Sequence, residues 1–254
     1  MTEPLALITG AGRGIGKEIA LRFASVQIPT VLVARSNEEI SNVRNEIVNA
    51  GGKAWACPCD ITQPAEVQAL KDDIESELGT VNILVNNAGV ASSAKLEATT
   101  DGMWRDTFAV NVDGAFYMVR AFLPKMRETG GHIVSVASSA ALRGFRYAAA
   151  YTASKHALLG LMRALAEEVK DTEIKVSTLC PGFVRTKILE ESIENVIGRT
   201  GKSRSEAEQI FASMNREGKL IEPGQIAETI LRLVSDRNLP SGFAYHEDGT
   251  VIEQ

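Results

Sequence analysis

Residues 4–9 form a short apolar run that passes at once into Gly10-Ala11-Gly12-Arg13-Gly14-Ile15-Gly16 and then into an amphipathic stretch over 17–25. Ile19, Ala20, Phe23 and Ala24 recur there at helical spacing. A strand, a glycine turn and a helix in that order are the first half of a βαβ unit, which commits a chain to parallel strands joined by helical crossovers. Such a turn leaves backbone N–H groups bare at a helix N-terminus, where a pyrophosphate can approach them. Glycines 10, 14 and 16 read G-x-x-x-G-x-G rather than the general G-x-G-x-x-G fingerprint. Taken alone, the segment also fits an ordinary strand-to-helix turn.

The rest of the chain repeats the alternation. Strands are expected at 5–9, 30–34, 53–57, 82–86, 132–136, 174–179 and 243–246, and helices at 15–26, 38–50, 64–78, 102–128, 150–170 and 224–235. Alternation of this kind predicts an α/β fold: a Rossmann-like, doubly wound parallel sheet of about seven strands with helices on both faces. No repeat or Pro/Ser-rich linker divides the 254 residues, so residues 1–254 are read as one domain.

Composition excludes several function classes. A net charge of −5, with Lys and Arg scattered, argues against nucleic acid or anionic membrane as a partner. No apolar stretch reaches the length of a membrane span and the start lacks the layout of a signal peptide, so a cytoplasmic protein is expected. Cys57 and Cys59 form a C-P-C run, not a C-x-x-C redox motif, and Cys180 reads as a small buried filler. His132, His156 and His246 are isolated, so no metal site is expected.

Chemistry concentrates in four residues: Asn111, Ser138, Tyr151 and Lys155. Tyr151 and Lys155 stand at i, i+4, which places both on one face of a helix. An ammonium beside a phenol favours phenolate, so the tyrosine can serve as proton donor and acceptor near neutrality. With TGAGRGIG at 9–16, NNAG at 86–89 and PGFVRT at 181–186, these residues stand in the order and spacing of one group. The chain strongly resembles the single-domain short-chain dehydrogenase/reductases from about residue 4 to about 249.

That resemblance implies a ketone/secondary-alcohol oxidoreductase. Tyr151 is implied as acid/base, Ser138 as the hydrogen bond to the carbonyl oxygen, Lys155 as holder of the cofactor ribose, and Asn111 as holder of a water leading to solvent. The family places its serine thirteen residues before the tyrosine, which selects Ser138 over Ser139. For the cofactor it implies Gly10, Gly14, Ile15 and Gly16 of the turn, Asp60 and Ile61 at the adenine, Asn87, Ala88 and Gly89 at the ribose, and Pro181, Gly182 and Thr186 at the nicotinamide. NNAG also fits a turn held by its Asn side chains. Charge argues for NADP(H): the second strand ends in Ala34 with Arg35 next and Arg13 in the turn, and two guanidiniums can converge on a 2′-phosphate with no acid at the strand end.

Residues 187–222 break the alternation and follow the sixth strand, where open sheets bind ligands, so they read as a substrate lid. Ile188, Leu189, Ile193, Val196 and Ile197 are candidates for its apolar wall. The resemblance extends best to 3-oxoacyl reductases and 3-hydroxyacyl-CoA dehydrogenases, giving a 3-oxoacyl thioester reductase as the leading expectation. Diol, acetoin-like, steroid and cyclic ketone substrates stay open, as does a cofactor-binding sensor without turnover. Carrier-protein reductases carry basic residues where this chain has Thr129 and Thr172, which favours coenzyme A or a free carbonyl, although Arg127 and Lys170 are close. Arg143 and Arg146 read as surface salt-bridge residues. The apolar excess of 150–170 suggests an interface, and the resemblance suggests a homotetramer, with a homodimer as the smaller possibility.

Overall fold

The computed structural model describes residues 4–236 and 238–252. Seven parallel strands form one sheet: β1 (Leu5–Thr9), β2 (Thr30–Ala34), β3 (Ala54–Pro58), β4 (Val81–Asn86), β5 (Gly131–Val136), β6 (Ile174–Leu179) and β7 (Ala244–Tyr245). Their order across the sheet is β3-β2-β1-β4-β5-β6-β7. All five residues of β1 are buried, as expected for a parallel strand covered on both faces. The period of two then sorts its side chains. Leu5 and Leu7 join one core with Val67, Ile74, Phe122, Leu158 and Met162. Ala6 and Ile8 join the other with Ile19, Phe23, Ile40, Ile226 and Ile230.

The first core is closed by helices α3 (Pro64–Glu77), α5 (Ala115–Thr129) and α6 (Ala149–Glu168), the second by α1 (Gly14–Ser25), α2 (Asn37–Asn49) and α9 (Pro223–Ser235). Each fully buried Ile or Phe stabilises this three-layer arrangement by roughly 1.5–3 kcal/mol. Helix starts carry local signals: Ser36 caps α2 by accepting from the Glu39 N–H, while α9 begins with Pro223 behind a Glu222–Gln225 capping box.

One departure from the sequence pattern bears on function. The single helix expected over 102–128 is split: α4 (Asp101–Phe108) passes through a wide π turn, Ala109–Gly114, before α5 begins. The segment after β6, whose composition is helical in propensity, forms α7 (Lys187–Thr200) and α8 (Arg204–Ala212). These enclose a small core of their own around Leu189, Ile193, Ala207 and Leu220. Strand order reverses between β1 and β4, with Ile8 of β1 paired to Leu32 of β2 on one side and Val85 of β4 on the other, and the crevice beyond the carboxyl ends of β1 and β4 is where such sheets bind ligands.

Candidate active site

A cleft of about 720 Å³ opens at that crevice. Gly10, Gly12, Arg13, Gly14 and Ile15 line it from the first turn, Arg35 and Ser36 from the end of β2, and Asp60 and Ile61 from the end of β3. Asn87, Ala88 and Gly89 come from β4, Tyr151 and Lys155 from α6, and Thr186 from the start of the lid. Gly10 and Gly14 have φ of +65° and +54°, a left-handed backbone that side chains resist. No side chain caps α1, which leaves its first N–H groups facing the cleft. At Gly89 an added Cβ would lie 3.5 Å from Lys155 Nζ and 3.3 Å from Asn111 Oδ1, filling the space between the cleft wall and these two side chains. These features fit a dinucleotide phosphate and ribose.

Gly16, Pro181, Gly182, Ser138 and Asn111 do not line the cleft directly. Gly16 instead permits close packing, because a Cβ there would meet the Gly10 carbonyl oxygen at 2.2 Å. Gly182 has the same function against Asn215, whose Oδ1 would lie 2.2 Å from a Cβ. Asn87 ties the end of β4 to the glycine turn: its Nδ2 donates to the Thr9 carbonyl at 2.9 Å and its N–H to Thr9 Oγ1 at 3.0 Å. The turn-stabilising reading of NNAG is therefore met at Asn87. Asp60 folds its own loop, accepting from the Thr62 N–H at 3.0 Å.

Asn111 lies in the π turn, and π turns often mark functional positions because they re-aim side chains. Its Oδ1 accepts from the Val90 N–H at 2.8 Å, while Nδ2 donates to the Val90 carbonyl and to Ser154 Oγ, both at 2.9 Å. Ser154 in turn donates to the Tyr151 carbonyl at 2.8 Å. The chain Asn111–Ser154–Tyr151 thus ties the Tyr151 turn of α6 to the loop after β4. Ser154 is fully buried; only its place one residue before Lys155 could have pointed to it.

Lys155 donates to the Val136 carbonyl at 3.0 Å and lies 5.7 Å from the centre of the Tyr151 ring. Burial pushes its pKa down to about 8. Burial likewise pushes the Tyr151 phenol above its ordinary value, with the Ser138 hydroxyl pulling the other way. Lys155 stands near the ring but is anchored on the Val136 carbonyl, and burial is the larger influence on the phenol. Ser138 caps the following turn, accepting from the Ala140 N–H at 3.1 Å.

Three readings of charge are corrected. An acid does stand beside the arginines: Glu39 accepts from Arg13 at 2.8 Å and lines the cleft, whereas Arg35 is exposed and makes no ion pair among the described residues. Arg143 makes no ion pair among the described residues; it donates to the Met214 carbonyl at 2.9 Å and lies over the Phe145 ring. Arg146 stacks on Tyr147. On α6, Leu158, Leu159, Met162 and Leu165 are buried within the chain, while Ala157 and Leu161 are half-buried.

The lid is fastened to the sheet by Asn215, which the sequence did not single out. Its Oδ1 accepts from the Phe183 N–H at 2.7 Å and its Nδ2 donates to the Phe183 carbonyl at 3.0 Å. Of the candidate wall residues, Leu189 and Ile193 are consumed by the lid's own core, whereas Ile188 is exposed and faces the cleft.

Comparison with known proteins decides the family. The family model described as short chain dehydrogenase matches residues 4–196. The chain belongs to that family. A Streptomyces violaceoruber protein named as a ketoacyl reductase of granaticin polyketide synthase is 33% identical to this short chain dehydrogenase, over 92% of this chain and 87% of that protein. A 3β-hydroxysteroid dehydrogenase of Mediterraneibacter gnavus is 32% identical, over 98% and 92%. A crystal structure of actinorhodin polyketide ketoreductase with NADPH superposes with a TM-score of 0.91 at 30% identity, covering 97% of this chain and 96% of that one. This short chain dehydrogenase is thus an oxidoreductase of a family that binds a nicotinamide cofactor. Among the described residues, no group of three or more His, Cys, Asp or Glu is placed to hold a metal ion, and no helix is long and apolar enough to cross a membrane.

Proposed function

We propose that this short chain dehydrogenase is an NADP(H)-dependent ketoreductase, with a 3-oxoacyl thioester as substrate. The observation that carries the reading is the opening of Tyr151 and Lys155 onto the same cleft as the glycine turn and the exposed Arg35. Arg35, Ser36 and the share of Arg13 left over by Glu39 would hold the 2′-phosphate, the bare α1 N-terminus the pyrophosphate, and Lys155 the ribose hydroxyls. Asp60, Ile61, Asn87, Ala88 and Gly89 would flank the adenosine, and Pro181, Gly182 and Thr186 the nicotinamide end. Bound NADPH supplies the hydride.

Tyr151 gives its proton to the substrate oxygen. A phenol kept protonated by burial suits that step, and the Lys155 cation close by stabilises the phenolate left behind. The Ser138 hydroxyl donates to the same oxygen, polarising the carbonyl and holding it in place. Asn111 orders the β4 loop against α6, beside the ammonium that must stay charged.

Coenzyme A or a free thioester is favoured over a carrier protein. Arg127 lies 3.7 Å from Glu168 and Lys170 lies 3.4 Å from Glu167, so the cations near the carrier positions are accompanied by acids. The relatives' names also keep a steroid or cyclic ketone as the second reading. Exposed Trp104 and Phe116 on α4 and α5 support association into a homodimer or homotetramer, and the composition supports a cytoplasmic setting. The test is NADPH oxidation with acetoacetyl-CoA, ethyl acetoacetate and a cyclic diketone. Tyr151→Phe is expected to lower kcat by about 10²–10⁴-fold; a wild-type rate in that variant overturns the scheme.

A further inference from the structure

Exposed apolar side chains gather at one place. Among the described residues Leu96, Leu142, Tyr147, Ile188 and Met214 are all large, apolar and exposed; Ile188 lines the cleft, and the others stand on segments tied to one another around the stretch between Ser138 and Tyr151. Leu142 follows Ser138 by four residues, and Tyr147 precedes Tyr151 by four. The Tyr147 carbonyl accepts from the Ala94 N–H at 2.8 Å, which brings the loop carrying Leu96 alongside. Arg143 reaches the Met214 carbonyl at 2.9 Å, tying the same loop to the end of α8. Ile188 already lines the cleft.

Tyr147 shows that this arrangement is held against a cost. Its φ is +65°, a left-handed conformation that a bulky residue rarely adopts, and its side chain is nevertheless 44% exposed. An exposed aromatic in a strained backbone gains nothing from the fold's own core. Arg146 covers one face of its ring, and the rest gains contact only from something apolar in the mouth. The cations of this loop do not compete for that space, because Arg143 and Arg146 lie over the Phe145 and Tyr147 rings.

We propose that the substrate carries a bulky apolar body beyond its reacting carbonyl, seated between Tyr147 and Leu142 on one side and Ile188 and Met214 on the other. The inference rests on the ketoreductase reading and specifies the part of the substrate that reading leaves open: a medium-length acyl chain or a fused ring, not a short polar ketone. Each added methylene buried in such a mouth raises kcat/KM by about two- to fourfold until the mouth is filled.

The experiment is a kcat/KM series with NADPH over 3-oxoacyl N-acetylcysteamine thioesters, from the four-carbon to the twelve-carbon acyl chain. A rise of at least tenfold across the series is expected. Tyr147→Gly, which accepts a positive φ without strain, and Leu142→Ser should each flatten that rise while leaving the NADPH dissociation constant, read by fluorescence titration, within about twofold. Turnover with a flat or falling series removes this inference alone. A rise that both variants preserve removes the assignment to this mouth. No turnover of any member, with either nicotinamide cofactor, removes the ketoreductase reading and this inference with it.

Discussion

Arg13 and Glu39 meet across the cleft, the guanidinium Nη1 donating to the carboxylate Oε1 at 2.8 Å. One comes from the glycine turn and the other from the first turn of α2, so the pair joins the two elements that would flank a cofactor's adenosine. Glu39 halves the positive charge available there and leaves Arg35 as the exposed cation of the cleft wall.

Cofactor choice should therefore respond oppositely to two substitutions. Arg35→Ala removes a charge-assisted contact worth about 1.5–3 kcal/mol, raising the KM for NADPH by roughly ten- to a hundredfold with little change for NADH. Glu39→Gln frees Arg13 and should lower the KM for NADPH severalfold. Steady-state kinetics with both cofactors checks the pair; equal shifts for NADPH and NADH in Arg35→Ala would remove the 2′-phosphate assignment.

Asn111 makes its three bonds from within a π turn, and its loss strands the Val90 N–H and carbonyl. Asn111→Ala should cost about 1–3 kcal/mol of stability, a drop of roughly 2–4 °C in Tm for each kcal/mol in a chain this size. Since the same side chain holds Ser154 against Tyr151, kcat should fall at least tenfold as well. Thermal melts and initial rates on one preparation decide it: a lower Tm with unchanged kcat limits Asn111 to a structural role.

The strands and the Tyr151–Lys155 pair were legible because each leaves a short-range mark. The buried run of β1 leads straight into its glycines, and Tyr151 and Lys155 stand one helical turn apart. The π turn is missing from the expected helix over 102–128, although Val110-Asn111-Val112-Asp113-Gly114 is a run of weak helix formers; the bonds that Asn111 makes there, to Val90 and Ser154, are long-range. Glu38 and Glu39 stand close enough to Arg35 in the sequence to read as its neutralising acids, and only the approach of Arg13 from the other turn gives Glu39 a different partner. Asn215 was hidden for the same reason, as its partner Phe183 lies thirty-two residues away. Pairwise long-range contacts of this kind carry no period.

His132 gives the fold an acid limit. It bridges β5 to β6, its Nε2 2.9 Å from Ser177 Oγ, and burial, with Lys175 adding, pushes its pKa down from 6.5 to about 4. Between those values the unfolded chain binds the proton and the folded chain does not, so stability falls as pH drops from about 6.5 toward 4. The loss amounts to about 3 kcal/mol at most for this one group. Urea titrations across that window should show a shallower decline in His132→Gln; an identical slope would assign the acid sensitivity elsewhere.

Lys155 should cost stability in proportion to its use. Its pKa falls from 10.5 to about 8 because the ammonium is buried, so below pH 8 both states hold the proton and the folded state bears the full penalty of about 3 kcal/mol. From about pH 8 to 10.5 the folded chain releases its proton first, the unfolded chain holds more, and stability rises with pH. Lys155→Met removes the penalty and also the bond to the Val136 carbonyl, which offsets about 1 kcal/mol of the gain. The variant is expected to be inactive yet to melt above the wild type at pH 7, with the difference shrinking as pH passes through the window above 8. Melting curves of both proteins at pH 7 and at pH 10 test the sign. A variant less stable than the wild type at pH 7 would show that the buried cation is held at no net cost.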